Sequence, residues 1–314
     1  MKIIAKDFNL KYTVESAQPL AFFGNYRSEK GIEYIEYATA NGIISVSAER
    51  IGKNKYSIAA EQHGYYTNTG LKKEINARFG LKDNMKIIYN NIETDKFMRD
   101  AVKNFYGMRV TLNGPWETAL SFIVSQFNNI KRIRGIMLRL ISEFGESNSG
   151  SSAKLFPTPE SISKASIGQL KKCGVGFRAK YIKSAAHEFV EGSFDRLNSM
   201  GYEEAKETLM KYSGIGDKVA DCILLMGYKK LEAFPIDTWV ERILEKEYGS
   251  EMEKTKNGNI AIREMHRFAM SKWNSYAGYA EQYLYWHGRS IGITERKAMQ
   301  RNKAAALENI NKSI

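Results

Sequence analysis

Apolar and polar residues follow two different periods along this chain. Over residues 1 to about 90, stretches such as "EYIEYATA", "GIISVSA" and "KYSIAAE" place an apolar side chain at every second position, the period of a half-buried strand. Asn41-Gly42, between the first two, is a strong hairpin signal. The pattern predicts an antiparallel sheet. From about Thr94 the spacing lengthens to three and four through "ETDKFMRDAVKNFYG", "WETALSFIVSQFNNIKRIRGIMLRLISEFG", "FRAKYIKSAAHEFVEG" and "YEEAKETLMKYSG", which is the helical period. The expected fold class is therefore α+β, with a sheet-rich amino-terminal domain over residues 1–93 and a mostly helical body over 94–314. The loop-like stretch at 145–161 reads as a surface excursion between helices, and the basic tail from residue 293 as a surface helix.

Composition adds less than the pattern does. With 314 residues, 43% hydrophobic and 26% charged, the chain has enough apolar surface for a large core and is most simply two or three domains. It contains no run of about 18 apolar residues, and its amino terminus lacks an apolar signal segment, so a soluble protein of the cell interior is expected. Forty-seven Lys plus Arg against 35 Asp plus Glu give a formal charge of +12, which favours a polyanionic partner. Only two cysteines occur, Cys173 and Cys222. That excludes a disulfide framework, a four-cysteine zinc site and a four-cysteine iron–sulfur cluster. The four histidines show no ligand spacing.

The candidate chemistry lies in "YSGIGDKVADCILLMG", residues 212–227. Gly214 and Gly216 make a tight turn, and Val219, Cys222, Ile223 and Met226 then recur at helical spacing, so a helix is predicted from about Asp217. The turn N–H groups and the helix amino terminus form a ready anion site, although the same pattern also suits an ordinary glycine-capped corner. Lys218 falls in the first turn, where the helix dipole opposes a cation. Dipole and burial both disfavour its charged form and raise the share of free amine that can act as a nucleophile, while the neighbouring Asp217 pulls the other way. Farther on, "EAFPIDTWVERILEKEYG" starts another helix after Pro235. Thr238 with Glu241 has capping-box spacing, which would leave Asp237 free; Asp237 is equally suited to be the cap itself.

Together, "YSGIGDKVADCILLMGYKKLEAFPIDTWVERI" resembles the signature of the helix–hairpin–helix, Gly/Pro/Asp superfamily of base-excision DNA glycosylases. Within it, "GPWETALSFIVSQFNNIKRIRGIM", "CGVGFRAKYI" and "SYAGYAEQYLYW" resemble the 8-oxoguanine DNA glycosylase family, in matching order over about residues 94–290. The resemblance implies a helical glycosylase body with the helix–hairpin–helix at about 202–227. Its activity would be that of a bifunctional glycosylase and AP lyase acting on 8-oxoguanine in damaged double-stranded DNA. Lys218 matches the lysine that attacks the deoxyribose C1′ and holds the sugar as a Schiff base; Asp237 matches the aspartate that assists it. Gly214, Ile215 and Gly216 would hold a backbone phosphate, with a monovalent cation at the hairpin, and no other cofactor or iron–sulfur cluster is implied. A monomer in the cytoplasm of a prokaryote, beside the nucleoid, is the expected setting.

The family's mechanism requires the target nucleotide to leave the stack. Phe177 matches the aromatic wedge, and Arg178 and Arg132 match the arginines that read the orphaned cytosine. Where the family has an asparagine to fill the gap, this chain has Phe127, followed by Asn128 and Asn129. In the aromatic run near residue 280, Tyr279, Tyr283 and Trp286 share one helical face and read as core, whereas Tyr285 falls where the family packs an aromatic on the flipped base. The base-edge glutamine aligns with Glu281, with Gln282 next to it. A monofunctional alkylpurine glycosylase is the alternative, weakened by Lys218 because that chemistry uses water as the nucleophile. A non-catalytic DNA-binding protein is the third reading.

Overall fold

A computed structural model describes residues 1–148 and 153–292. The amino-terminal part carries five antiparallel strands, β1 (Lys2–Lys6), β2 (Asn25–Glu29), β3 (Ile32–Thr39), β4 (Gly42–Gly52) and β5 (Lys55–Gly64), in the order β1-β5-β4-β3-β2. Alternation places Ile35 and Tyr37 of β3, Ile44, Val46 and Ala48 of β4, and Ile58 and Ala60 of β5 in the core. The predicted hairpin forms one residue earlier than expected. Thr39 pairs with Gly42, so the turn residues are Ala40 and Asn41. The Thr39 hydroxyl decides this register by donating to the Gly42 carbonyl at 3.0 Å and accepting from the Asn41 N–H at 3.1 Å.

The strand pattern ends at Gly64, well before residue 90. Helices Asn68–Arg78 and Met85–Ile92 follow, and two short ones, Leu10–Glu15 and Pro19–Phe23, interrupt the first strands. Local chemistry explains each of these departures. Asn9, Thr67 and Asn84 cap helix starts through their side-chain oxygens, and Pro19 occupies a first-turn position. The buried Leu71, Ile75 and Phe79 recur at intervals of four, a helical stripe overlooked beside the strand alternation.

Two buried arginines join the sheet to the body. Arg109 donates to the carbonyls of Lys6, Asp7, Gly80 and Asp83 at 2.7 to 3.1 Å. Arg78 pairs with Glu74 and Glu117 and donates to Asn113 at 2.7 Å. At the centre of the body, helix Asp217–Tyr228 packs on helix Pro115–Ser125. Their backbones meet at Gly227, where a side chain would fall 3.1 Å from the Cα of Pro115. The 145–161 loop is only partly a surface excursion: Leu155 and Phe156 are buried, and Phe156 N–H bonds to Thr39 of the sheet. Residues 277–292 form a further buried helix. The basic tail from residue 293, expected as a surface helix, lies outside the described residues. No described helix is long and apolar enough to cross a membrane.

Arg109→Ala removes the donor shared by four carbonyls, one at a buried bond and three at part-buried ones, and is expected to lower unfolding free energy by ~3 kcal/mol. Urea unfolding, with the exposed Lys30→Ala as control, measures this. A midpoint matching the control would mean that water satisfies those carbonyls.

Candidate active site

The predicted hairpin is present between helices Tyr202–Met210 and Asp217–Tyr228. Gly214 has φ +87°, and a Cβ there would fall 2.4 Å from the ring of Tyr181, so glycine is needed twice over. Ile215 is buried beneath the turn, and the Gln126 side-chain amide donates to the Gly214 carbonyl at 2.9 Å. Gly216 caps the second helix from extended backbone and offers no side chain to its N–H groups. The turn is therefore fixed from inside, while the helix amino terminus stays open to an anion.

Lys218 lies in the first turn, as predicted, and points into a cavity of about 260 Å³. The cavity is smaller than the roughly 300–1,000 Å³ typical of drug-sized ligand pockets. Its Nζ lies 4.6 Å from the centroid of the Phe122 ring. Cys222, one helical turn on, borders the same cavity as a neutral thiol pushed up to about 12 by burial. Asp237 enters from the start of helix Thr238–Tyr248 and is the N-cap, which settles the choice between it and Thr238. Its Oδ1 accepts from the N–H groups of Trp239 and Val240 at 2.8 and 2.9 Å. No described residue bonds Oδ2.

The helix over 277–292 supplies the opposite wall. Tyr279 and Tyr283 are buried in the core as the spacing predicted, and Trp286 packs partly against it, whereas Tyr285 turns to the cavity. Tyr285 accepts a hydrogen bond from Arg289 at 2.6 Å. Glu281 and Gln282 both line the cavity, bonded to each other at 2.6 Å. Burial, reinforced by the charge of Asp237, raises the Glu281 carboxyl to about 8, so it carries a proton at neutral pH. Gln282 Oε1 is buried with no hydrogen-bond partner among the described residues. Sequence reasoning missed Ser16, Ala17 and Phe22, which bring the amino-terminal region to the cavity wall. Ala17 sits at φ +59°, a strained value for alanine, and its neighbour Gln18 is locked by bonds to Ser16, Arg109 and Thr111. No local sequence signal marks that loop.

Residues 120–264 match the pattern of the HhH-GPD superfamily base excision DNA repair proteins. The chain is 32% identical to the yeast Saccharomyces cerevisiae N-glycosylase/DNA lyase over 71% of its own length and 68% of that protein. It is 31% identical to a Methanothermobacter thermautotrophicus protein named "Probable N-glycosylase/DNA lyase", over 72% of this chain and 77% of that one. It also superposes on the Clostridium acetobutylicum 8-oxoguanine glycosylase/lyase, solved with double-stranded DNA, with a TM-score of 0.77 and 26% identity over 93% and 98% of the two chains. The chain belongs to the helix–hairpin–helix, Gly/Pro/Asp superfamily of base-excision DNA repair proteins, and within it to the 8-oxoguanine DNA glycosylase family.

Next to the cavity-lining Asn128, this family member exposes Phe127, and the ring of Phe177 lies near it. Phe127 is 91% exposed at φ +47°, and Phe177 is 51% exposed, with ring centroids 6.4 Å apart. Asn128 borders the cavity, its amide donating to the Val124 carbonyl at 3.2 Å. Arg178 departs from expectation: it is buried, and its guanidinium donates to the carbonyls of Gln126, Phe127 and Val175. It shapes the Phe127 loop rather than projecting to solvent. Arg132 is exposed.

The folded chain keeps the Glu281 proton up to about pH 8, whereas the unfolded chain releases it near 4.5. Stability from this group is therefore greatest at low pH and falls as pH rises toward 8. Glu281→Gln is expected to flatten that fall by more than about 1 kcal/mol, read by urea unfolding at two pH values. An unchanged slope would show that Glu281 ionises freely in the folded state.

Proposed function

We propose that this protein is a bifunctional DNA glycosylase and AP lyase that removes 8-oxoguanine from duplex DNA. The observation that carries the reading is convergence. Lys218, Asp237, Glu281, Gln282 and Tyr285 come from three separate segments and border one cavity beside an open helix amino terminus. The names of the yeast and Clostridium proteins support the same chemistry and substrate.

In this reading the extruded base stacks on Tyr285, and Glu281 and Gln282 meet its edge. The unpartnered Gln282 Oε1 offers an acceptor to a purine N–H, and the protonated Glu281 can donate to a carbonyl. Lys218 Nζ, as the free amine, attacks C1′. The C1′–N9 bond breaks, its electron pair leaves with the base, and the base takes up a proton. Asp237 opposes the positive charge on the sugar as that bond weakens. Ring opening gives the Schiff base, and loss of a C2′ proton expels the 3′ phosphate by β-elimination. The Gly214–Gly216 turn holds a DNA phosphate on its N–H groups. The carbonyl end of helix Tyr202–Met210, at Met210 and Lys211, borders the same surface depression. As the negative end of that helix dipole, it is where a monovalent cation would be held.

Phe177 and Phe127 fill the space left by the extruded nucleotide. A phenyl ring stacks on any base but pairs with none, and Arg178 is committed to its own loop. Discrimination for cytosine therefore rests on Arg132. A monomer in the prokaryotic cytoplasm, beside the nucleoid, is the setting this reading implies. The alkylpurine alternative leaves Lys218 without a role, because water is the nucleophile there.

Borohydride trapping on a duplex with 8-oxoguanine opposite cytosine tests the chemistry. The wild type is expected to form a covalent complex; Lys218→Gln is expected to bind the duplex but neither excise nor trap. Release of alkylated base without trapping would move the protein to the water-using branch. Arg132→Ala is expected to bring excision opposite cytosine down toward the rate opposite other bases, measured in single turnovers. An unchanged ratio would remove Arg132 from that role.

A further inference from the structure

A second charged cluster meets the first turn of helix Asp217–Tyr228, on the face next to the one that lines the cavity. Asp217 and Asp221 are one turn apart on this helix; Tyr202 and Lys206 are one turn apart on the first hairpin helix; His266 comes from helix Ile262–Trp273. The Lys206 ammonium lies 2.9 Å from Asp221 Oδ2, 3.2 Å from Asp217 Oδ1 and 3.4 Å from the Tyr202 hydroxyl. Tyr202 in turn donates to Asp221 Oδ1 at 2.6 Å. His266 Nε2 is 2.8 Å from Asp217 Oδ1. Asp221 and Lys206 are both buried.

Asp217, Asp221 and His266 have the composition of a metal site, with ligand atoms all within 4.8 Å of one another. The Lys206 ammonium, however, already stands between the two carboxylates and 3.3 Å from the imidazole nitrogen. It is the cation of this cluster. The bond from His266, with Lys206 adding to it, holds Asp217 ionised at about 2. His266 Nε2 must then carry a proton and donate, so its contact with Lys206 is a close approach of two donors rather than a hydrogen bond.

The cluster bears on the charge conflict at the first turn, where Asp217 precedes Lys218. A carboxylate left free at that position would stabilise an ammonium on Lys218, and an ammonium cannot attack C1′. We propose that Lys206 is a positioning residue for the nucleophile: it offsets the charge of Asp217 and Asp221 on the neighbouring face of the helix and leaves the positive first turn to Lys218. The same contacts pin the second hairpin helix to the first. The groups that face Lys218 on its own side are Cys222, Asp237, Glu281, Tyr285 and Arg289. None of these touches Lys206 among the described residues, although the charge of Asp221 reaches Cys222 and Glu281 and adds to the upward push on both.

The inference rests on the reading of Lys218 as nucleophile. Its test is the pH of half-maximal base release in single turnovers on the 8-oxoguanine duplex. Lys206→Met removes the ammonium, leaving Asp217 to His266 and Asp221 to Tyr202, and is expected to move that midpoint upward by about half to one pH unit. Asp217→Asn removes the adjacent negative charge and is expected to move it downward, and the double variant should return it toward wild type. A purely structural role lowers the rate in both single variants without opposite displacements. Unmoved midpoints, or displacement of both in one direction, would overturn the proposal. Should Lys206→Met fail to fold, Lys206→Gln, which keeps a polar donor beside the buried carboxylates, takes its place, with Asp217→Asn beside it because that side chain is 42% exposed. Normal base release by Lys218→Gln would instead sink the nucleophile reading. An inactive Lys218→Gln with unmoved midpoints would sink only the role of Lys206.

Discussion

The structure depends on one helix that is buried nearly everywhere except at its start. From Val219 to Gly227, helix Asp217–Tyr228 is enclosed by the body, close enough to helix Pro115–Ser125 that a Cβ at Gly227 would fall 3.1 Å from the Pro115 Cα. Such packing fixes position and rotation together. Only the first turn remains open. There the unpaired N–H groups, the lysine and the hairpin glycines present themselves in one small region.

That constraint gives the helix two chemical faces. One carries Lys218 and Cys222 into the cavity, above the ring of Phe122. The other carries Asp217 and Asp221 to Lys206 and His266. A spacing of one helical turn makes each pair share a face, and a one-residue offset separates the pairs. An acid and an amine thus sit on neighbouring residues while facing different partners.

The cavity is closed by parts of the chain that are remote in sequence. Ser16, Ala17 and Phe22 come from the amino-terminal region, held there by the Gln18 and Arg109 bonds to the body. The amino-terminal region is therefore more than an appendage: the anchoring of its first two helices decides where one wall of the pocket stands. The opposite wall carries Glu281, whose retained proton follows from being enclosed near Asp237. A solvent-exposed carboxylate in the same sequence would be ionised.

Much of this was legible from local pattern. Strand alternation, the glycine turn, the start of the helix at Asp217 and the division of Tyr279 and Tyr283 from Tyr285 all follow from periods of two and 3.6 residues, which are properties of the backbone itself. Lys218 and Asp237 were legible through motif resemblance. Local pattern misled where two periods overlapped, as in the helices between Asn68 and Ile92, and where a single hydroxyl shifted a turn by one residue. Local spacing left the cap of helix Thr238–Tyr248 open between Asp237 and Thr238, whereas only the tertiary structure decided that Arg178 turns inward, that Ala17 borders the cavity and that Lys206 and His266 meet Asp217. Each of these depends on contacts between segments far apart in the chain, and residue spacing along a sequence carries no record of which distant surfaces will pack together.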